Sequence, residues 1–248
     1  MTKTIIMWSG GADSTVIVDQ MLRNTADELL LQHIVIGAAP ISDSDDVSLI
    51  GGIRRRAAIC AAQVVAVKQI TNYWKQEGYR PFTLDISYYQ PPAGHLVGSA
   101  LVNVLSGVFA AQHYNADRFI TGVGPISVRN GNALAVQQLK QLQDTFDVLM
   151  QGRKKSIKVR NDMSLPGEKA VIVLGDSDYS HVKWEKPLAE WGWGKRGVVK
   201  QLPPKLRRLV VSCDYPTTHE DHWERCGKCF RCNKWEQVGG LVDGDDDV

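Results

Sequence analysis

Between residues 4 and 123 the chain alternates short apolar runs with longer segments whose apolar residues recur at helical spacing. Repeated strand–helix units of this kind fold into a parallel β-sheet with helices packed against it. We therefore predict an α/β fold with a parallel sheet flanked by helices. The pattern predicts strands at residues 4–8, 33–37, 82–86 and 118–123, and then a helix at 133–150, a basic connector at 153–160 and strands at 170–174 and 206–212.

The length suits one α/β domain with a small appendage. We expect residues 1–190 to form the nucleotide-binding α/β domain, residues 191–240 a zinc-binding lobe and residues 241–248 an acidic tail. A net charge of +2 gives no argument from charge alone for nucleic-acid binding. The sequence contains no signal-peptide pattern and no uninterrupted apolar run long enough for a membrane span, so we expect a cytoplasmic protein.

The turn between the first predicted strand and helix reads Ser9, Gly10, Gly11, Ala12, Asp13, Ser14, Thr15. The glycines let the backbone approach a phosphate, and the N–H groups at the helix start favour an anion. The hydroxyls of Ser9, Ser14 and Thr15 can add donors, and Asp13 can hold magnesium that bridges phosphates. This pattern favours a nucleoside triphosphate site. The alternative is a plain Gly-Gly turn with a helix cap.

Four of the five cysteines are clustered near the C-terminus, at Cys213, Cys226, Cys229 and Cys232. Short Cys-x2-Cys spacings let thiolates converge on one metal, and four thiolates predict a closed, structural zinc site. Redox pairs, free core thiols or an iron–sulfur cluster are the alternatives. His219 and His222 lie between the cysteines and could substitute as ligands or act as bases, whereas Cys60 is expected to be a small buried apolar residue.

Two of these motifs resemble known families. Ser-Gly-Gly-x-Asp-Ser after an N-terminal strand is similar to the PP-loop of the ATP pyrophosphatase superfamily, whose enzymes split ATP between its α and β phosphates. The resemblance implies that residues 9–14 hold the leaving pyrophosphate. Segments 212–215 and 225–232 resemble the C-terminal zinc motif of 7-cyano-7-deazaguanine synthases. Those enzymes convert 7-carboxy-7-deazaguanine, ammonia and ATP to an amide, and then to a nitrile with a second ATP.

Further similarities extend this resemblance. Residues 118–123 resemble the strand that ends in Gly-Val beside the family's substrate pocket, which implies that Gly122 lies near the ligand. Residues 193–199 resemble a helix start whose lysine faces phosphate, so Lys195 joins Asp13 as a candidate catalytic residue; a solvated surface lysine is the alternative. Residues 37–40 read Gly-Ala-Ala-Pro where these synthases carry Asp-Tyr-Gly-Gln, so the resemblance points to a divergent relative.

The resemblance implies an ATP-dependent ligase that adenylates a purine carboxylate and joins it to ammonia or another amine, with ATP, magnesium and zinc as cofactors. A homodimer is compatible with this expectation. One alternative passes the deazaguanine to an amine of a protein or nucleic acid, in a modification or defence pathway. A PP-loop enzyme that modifies tRNA is another. The non-enzymatic alternative is a zinc-stabilised module that senses nucleotides without turnover.

Overall fold

A computed structural model describes residues 1–37, 47–89, 99–123, 133–151 and 179–240. The strands are β1 Lys3–Met7, β2 Glu28–Ile36, β3 Thr83–Tyr89, β4 Arg118–Thr121, β5 Lys183–Glu185, β6 Thr217–Thr218 and β7 Trp223–Glu224. The helices are α1 Ala12–Asn24, α2 Val47–Gln76, α3 Ser99–Tyr114, α4 Ala133–Met150, α5 Pro187–Glu190, α6 Lys195–Gln201, α7 Pro204–Leu209 and α8 Phe230–Gln237.

In the described part of the chain, five parallel strands form one sheet in the order β3-β2-β1-β4-β5. The central strand β1 is buried on both faces because its apolar side chains alternate between two cores. Ile6 belongs to the core that contains α1 and α2, whereas Ile5 and Met7 belong to the core that contains α3 and α4. The predicted α/β architecture, a parallel sheet flanked by helices, is therefore confirmed.

The helices cover the two faces of the sheet differently. On one face, α1 and α2 share a core with residues from the C-terminal elements, among them Val198, Leu206 and Trp235. On the other face, Phe119 of β4 stacks on Phe146 of α4, with ring centroids 5.4 Å apart. The predicted boundary near residue 190 falls between α5 and α6, and residues on both sides of it contribute to the first core.

The order in which the chain adds strands to the sheet reverses next to β1. The chain passes from β1 outward to β2 and β3, and then returns to place β4 on the other side of β1. In open parallel sheets, a crevice forms where the carboxyl ends of two such strands diverge, and ligands bind there. The segments that follow β1 and β4 both begin at this edge, so the topology brings Ser9 and Gly122 to the same crevice.

Most of the predicted elements are confirmed, with one clear error. The predicted strands at 4–8, 33–37, 82–86 and 118–123 correspond to β1 to β4, and the helix at 133–150 is α4. The strand predicted at 206–212 is wrong, because Pro204 starts helix α7 there and its fixed φ suits the first helical turn. Residues 153–160, 170–174 and 241–248 lie outside the described residues.

The small C-terminal lobe contains the antiparallel pair β6–β7 and helix α8. Across the described residues, no helix combines the length and the apolar character needed to cross a lipid bilayer.

Candidate functional site

The turn after β1 depends on glycine at position 10. Gly10 has φ +72°, a left-handed conformation that glycine adopts without strain. A Cβ there would also lie 3.1 Å from the Gln63 carbonyl oxygen and 3.2 Å from Val67 Cγ2, both on α2. Gly10 therefore lets the turn pack closely on α2 while it reverses direction into α1.

The hydroxyls of the turn are organised by one another. The Ser9 amide donates to Ser14 Oγ at 3.1 Å, the two serine Oγ atoms are 3.2 Å apart, and the Gly11 amide donates to Ser9 Oγ at 3.3 Å. Thr15 occupies a different position, since it is fully buried and its Oγ1 accepts a hydrogen bond from Trp8 Nε1 at 3.0 Å. Ser9 and Ser14 face the crevice, whereas the Thr15 hydroxyl stabilises the core.

The N-terminus of α1 is open to a ligand. Gly11 is the N-cap residue and supplies no side-chain cap, so the first helical N–H groups keep donor capacity at the positive end of the helix dipole. Ala12, Asp13 and Ser14 of this first turn line a cavity. This end of α1 is suited to bind an anion.

Asp13 and Lys195, the two candidate catalytic residues, form an ion pair. Lys195 Nζ lies 2.6 Å from both carboxylate oxygens of Asp13. The Lys195 side chain is 44% exposed and the Asp13 side chain 36%, so water screens the pair and its net stabilisation is small. The helix start at Gly194 thus brings a cation from the C-terminal half of the chain to the turn after β1.

Gly122 lies where β4 ends beside α1. A Cβ at this position would lie 3.1 Å from the Ser14 amide nitrogen and 3.2 Å from Ser14 Cα. These are backbone atoms of a helix start, which cannot move aside as the end of a flexible side chain would. The close packing on Ser14 explains why glycine stands at position 122, and the residue also lines the cavity described below.

The cavity at the divergence of β1 and β4 has a volume of about 590 Å³, a size that suits a nucleotide or a drug-sized ligand. One end is formed by the Ser9–Ser14 turn and Lys195. Helix α8 contributes Arg231 and Lys234, which we call the basic wall of the cavity. The sequence analysis did not single out these two cations. A cavity with three cations beside an open helix N-terminus favours a polyanionic ligand.

Gln32 of β2 is a third site residue that sequence reasoning missed. Its side chain is 6% exposed, lines the cavity, and donates from Nε2 to Asp85 Oδ2 at 3.4 Å. Its Oε1 finds no hydrogen-bond partner among the described residues. A buried acceptor without a partner costs about 1–3 kcal/mol, and a ligand N–H would remove that cost.

Arg231 is held in place by Asp214, the residue that follows the first clustered cysteine. Arg231 Nε lies 3.0 Å from Asp214 Oδ1, and Arg55 of α2 donates to the same oxygen. The Arg55 guanidinium also lies over the ring of Tyr215, 5.5 Å from its centroid. Asp214 therefore connects the cysteine-containing lobe, helix α2 and the basic wall of the cavity.

The four clustered cysteines converge in space as their spacing predicts. The Sγ atoms of Cys213, Cys226, Cys229 and Cys232 all lie within 4.8 Å of one another. Cys213 Sγ and Cys229 Sγ are 3.9 Å apart, and tetrahedral zinc–thiolate bonds place two sulfurs about 3.8 Å apart. The donor set and its geometry therefore fit a metal ion such as zinc.

Backbone amides and burial set the charge of this cluster. Burial alone would raise the pKa of Cys229, but hydrogen bonds from the Asp214 and Cys232 amides and the neighbouring thiols lower it to about 6. Burial and the Cys229 and Cys213 thiols raise the pKa of Cys232 to about 12. Cys229 is thus the thiol that ionises most readily. The positive charge of a bound divalent ion would favour the thiolate form of the other cysteines.

The lobe is attached to the end of α7, and the segment that leads into it is attached to the turn after β1. Arg225 Nη2 donates to the carbonyl oxygens of Arg207 and Val210 at 3.0 Å each, which satisfies the C-terminal end of α7. Val211 then pairs in parallel with Gly11, and its amide donates to the Gly10 carbonyl at 3.0 Å. The backbone that leads into Cys213 therefore lies directly beside the Ser9–Ser14 turn.

No protein-family model matches this chain, and neither does any curated protein. The site is defined by its own geometry. An open helix start, an Asp–Lys pair and a basic wall converge on one cavity, next to a lobe whose four clustered cysteines could hold a metal ion. Cys60, in α2, is half-buried and lies apart from that site.

Proposed function

We propose that this protein is an ATP pyrophosphatase that adenylates the carboxylate of a purine such as 7-carboxy-7-deazaguanine and joins it to nitrogen. The observation that carries the proposal is the convergence of an open helix N-terminus with Lys195, Arg231 and Lys234 around one cavity of about 590 Å³. The cavity lies at the strand-order reversal, where parallel α/β sheets bind nucleotides.

We assign binding of the ATP phosphates to the Ser9–Ser14 turn. A carboxylate oxygen of the purine attacks the α-phosphorus of ATP. The bond between that phosphorus and the oxygen that bridges the α and β phosphates breaks, and pyrophosphate leaves with the electron pair. The α1 amides and Lys195 stabilise the departing negative charge. Asp13 offers carboxylate oxygens to magnesium, which when bound neutralises phosphate charge. A metal ion there would compete with Lys195 for the same oxygens.

In the second half of the reaction, an amine attacks the acyl carbon and AMP leaves, while the extra proton of the amine is lost to solvent. The site accelerates this step chiefly by holding the two reactants together. Gln32 supports recognition of the base, because its Oε1 is a buried acceptor and purine rings carry N–H donors. Arg231, fixed by Asp214, is a candidate partner for the substrate carboxylate.

The four-cysteine site takes a structural role in this proposal. Four thiolates would leave no open position for a substrate on a tetrahedral zinc. The metal would instead hold the start of α8, where Cys229 caps the helix by accepting from the Cys232 amide. Because Arg231 and Lys234 lie on α8, the metal fixes the basic wall of the cavity.

A second candidate function differs only in the acceptor. The Gly-Ala-Ala-Pro sequence at residues 37–40 replaces the Asp-Tyr-Gly-Gln run of 7-cyano-7-deazaguanine synthases. This departure favours transfer of the adenylated purine to an amine of a protein or nucleic acid, without dehydration to a nitrile.

The test is to incubate the protein with ATP, magnesium, ammonia and 7-carboxy-7-deazaguanine and to measure AMP, pyrophosphate and the modified base. We expect AMP and pyrophosphate in equal amounts, because cleavage falls between the α and β phosphates. The Asp13→Asn and Lys195→Met variants should each release pyrophosphate roughly a hundredfold more slowly. Lys200→Met, on the same helix and exposed, is the matched control and should retain wild-type rates.

The products distinguish the two candidates. Two AMP per nitrile supports the synthase reaction, whereas one AMP per amide, with no nitrile, supports transfer to another acceptor. Formation of ADP and phosphate, or a complete lack of purine-dependent pyrophosphate release, would overturn the proposed adenylation.

A further inference from the structure

The hairpin formed by β6 and β7 carries a group of metal-binding side chains that is separate from the cysteine cluster. Ligand atoms of His219, His222 and Glu224 all lie within 4.8 Å of one another. All three side chains are exposed, so a bound ion would keep contact with solvent. None of the three contributes to the cavity described above.

The distances suit a small metal ion. His219 Nε2 lies 3.8 Å from Glu224 Oε1, and His222 Nε2 lies 3.6 Å from the same oxygen. Two nitrogen or oxygen ligands of a tetrahedral zinc ion, each about 2.1 Å from the metal, are about 3.4 Å apart. The distances to Glu224 therefore need to change by only a few tenths of an ångström, while the two imidazole rings, which are nearly parallel, must also rotate so that both lone pairs point at one ion.

The hairpin holds these side chains in register. The His219 amide donates to the His222 carbonyl at 2.8 Å, which closes the turn, and Thr217 pairs with Glu224 across the ladder. The two imidazole rings are nearly parallel, with centroids 4.3 Å apart and an interplanar angle of 9°. Gln69 of α2 donates to the Asp221 carbonyl at 3.0 Å, which attaches the turn to the main domain.

An independent feature points to a metal at the His222 ring. Asp221 Oδ1 lies 2.7 Å from His222 Nδ1. A carboxylate bound to one ring nitrogen fixes the tautomer, so the other nitrogen presents its lone pair, and metal-binding histidines commonly have such a partner. Here that other nitrogen, Nε2, is the one that faces Glu224.

We infer that this hairpin binds a divalent transition-metal ion through Nε2 of His219, Nε2 of His222 and the carboxylate of Glu224. Two imidazoles and one carboxylate form a borderline donor set that accepts Zn²⁺, Ni²⁺ and Cu²⁺. The remaining coordination positions face solvent. The site is independent of the proposed ligase activity, and its ligands are distinct from those of the four-cysteine site.

The experiment titrates Ni²⁺ by calorimetry into protein whose cysteine site is already loaded with zinc. We expect the wild type to bind about one equivalent of Ni²⁺, and His219→Ala or His222→Ala to weaken that binding at least about tenfold. Asp221→Asn should weaken it by roughly ten- to a hundredfold, since it removes the carboxylate partner of His222. His113→Ala removes an exposed histidine elsewhere and should leave the affinity unchanged.

Two further readouts separate loss of ligands from loss of the fold. Elemental analysis should find the cysteine-bound zinc retained in every variant, and the electron paramagnetic resonance spectrum of added Cu²⁺ should show coupling to two imidazole nitrogens. The inference is overturned if the wild type takes up no Ni²⁺ beyond its zinc. It is also overturned if His219→Ala and His222→Ala both bind Ni²⁺ as the wild type does.

Discussion

Replacing Gly122 with alanine tests whether the end of β4 and the start of α1 are packed as closely as the structure indicates. Gly122 is not among the glycines with positive φ, so alanine suits its backbone conformation and the expected cost is steric. The added Cβ would lie 3.1 to 3.3 Å from the amide nitrogen, Cα and Cβ of Ser14. Overpacking of this kind costs about 1–3 kcal/mol.

Alanine also lowers the conformational entropy of the unfolded chain, which offsets about 0.4–1 kcal/mol of the steric cost. We therefore expect Gly122→Ala to lower the free energy of unfolding by about 1–2 kcal/mol. For a chain of this size, the melting temperature would fall by about 4 °C. Urea unfolding followed by circular dichroism, together with a thermal scan, measures both quantities.

Gly194→Ala is the matched control, because its added Cβ meets no atom within 4 Å and its φ is −76°. Gly194 is the N-cap residue of α6, so this variant should lose about 0.5–1 kcal/mol through the weaker cap, with no steric cost. If Gly122→Ala proves as stable as the wild type, then β4 and α1 are not in close contact, and the geometry assigned to the phosphate end of the cavity is incorrect.

Three further predictions concern the lobe and the core. Cys229→Ser should abolish tight zinc binding and lower stability by several kcal/mol, whereas Cys60→Ser keeps the metal; elemental analysis and thermal unfolding check both. Arg225→Ala removes the charged hydrogen bonds to the carbonyls at and after the end of α7 and to Ser212 Oγ and should destabilise the protein by about 2–4 kcal/mol in urea unfolding. Burial lowers the pKa of His33 below 6.5, so its stabilising contribution is present above pH 6.5 and is lost as pH falls through the folded pKa. His33→Gln should therefore lose less stability on acidification than the wild type, and equal losses would contradict this reasoning.

Much of the fold follows from periodicity in the sequence. The strand at residues 4–8 was predictable because a run of apolar residues ends at a glycine turn, and the helix at 133–150 because its polar and apolar positions recur at helical spacing. β5, Lys183–Glu185, was not predicted, since a three-residue strand carries too little pattern to recognise. The helix at Pro204–Leu209 was not predicted, because six residues with few apolar positions carry little helical pattern and proline starts some helices but interrupts others.

The candidate site was predictable where chemistry and spacing coincide. The cysteine cluster is an example, because Cys-x2-Cys spacing itself limits how far apart the sulfurs can lie. Gln32 and Arg231 could not be found in this way, since each is a common polar residue whose importance depends on what the fold places around it. Lys195 was singled out only through the family resemblance, and its ion pair with Asp13 was not predicted and is seen only in the structure.

The bridge between Gly11 and Val211 joins two segments about 200 residues apart in the chain. During synthesis, the turn after β1 leaves the ribosome long before the residues that complete its surroundings. The cavity therefore cannot be completed before residue 211 has been synthesised, and a metal ion could join the four cysteines only after that point. If that ion is zinc, a shortage of zinc would affect newly made molecules before those already folded.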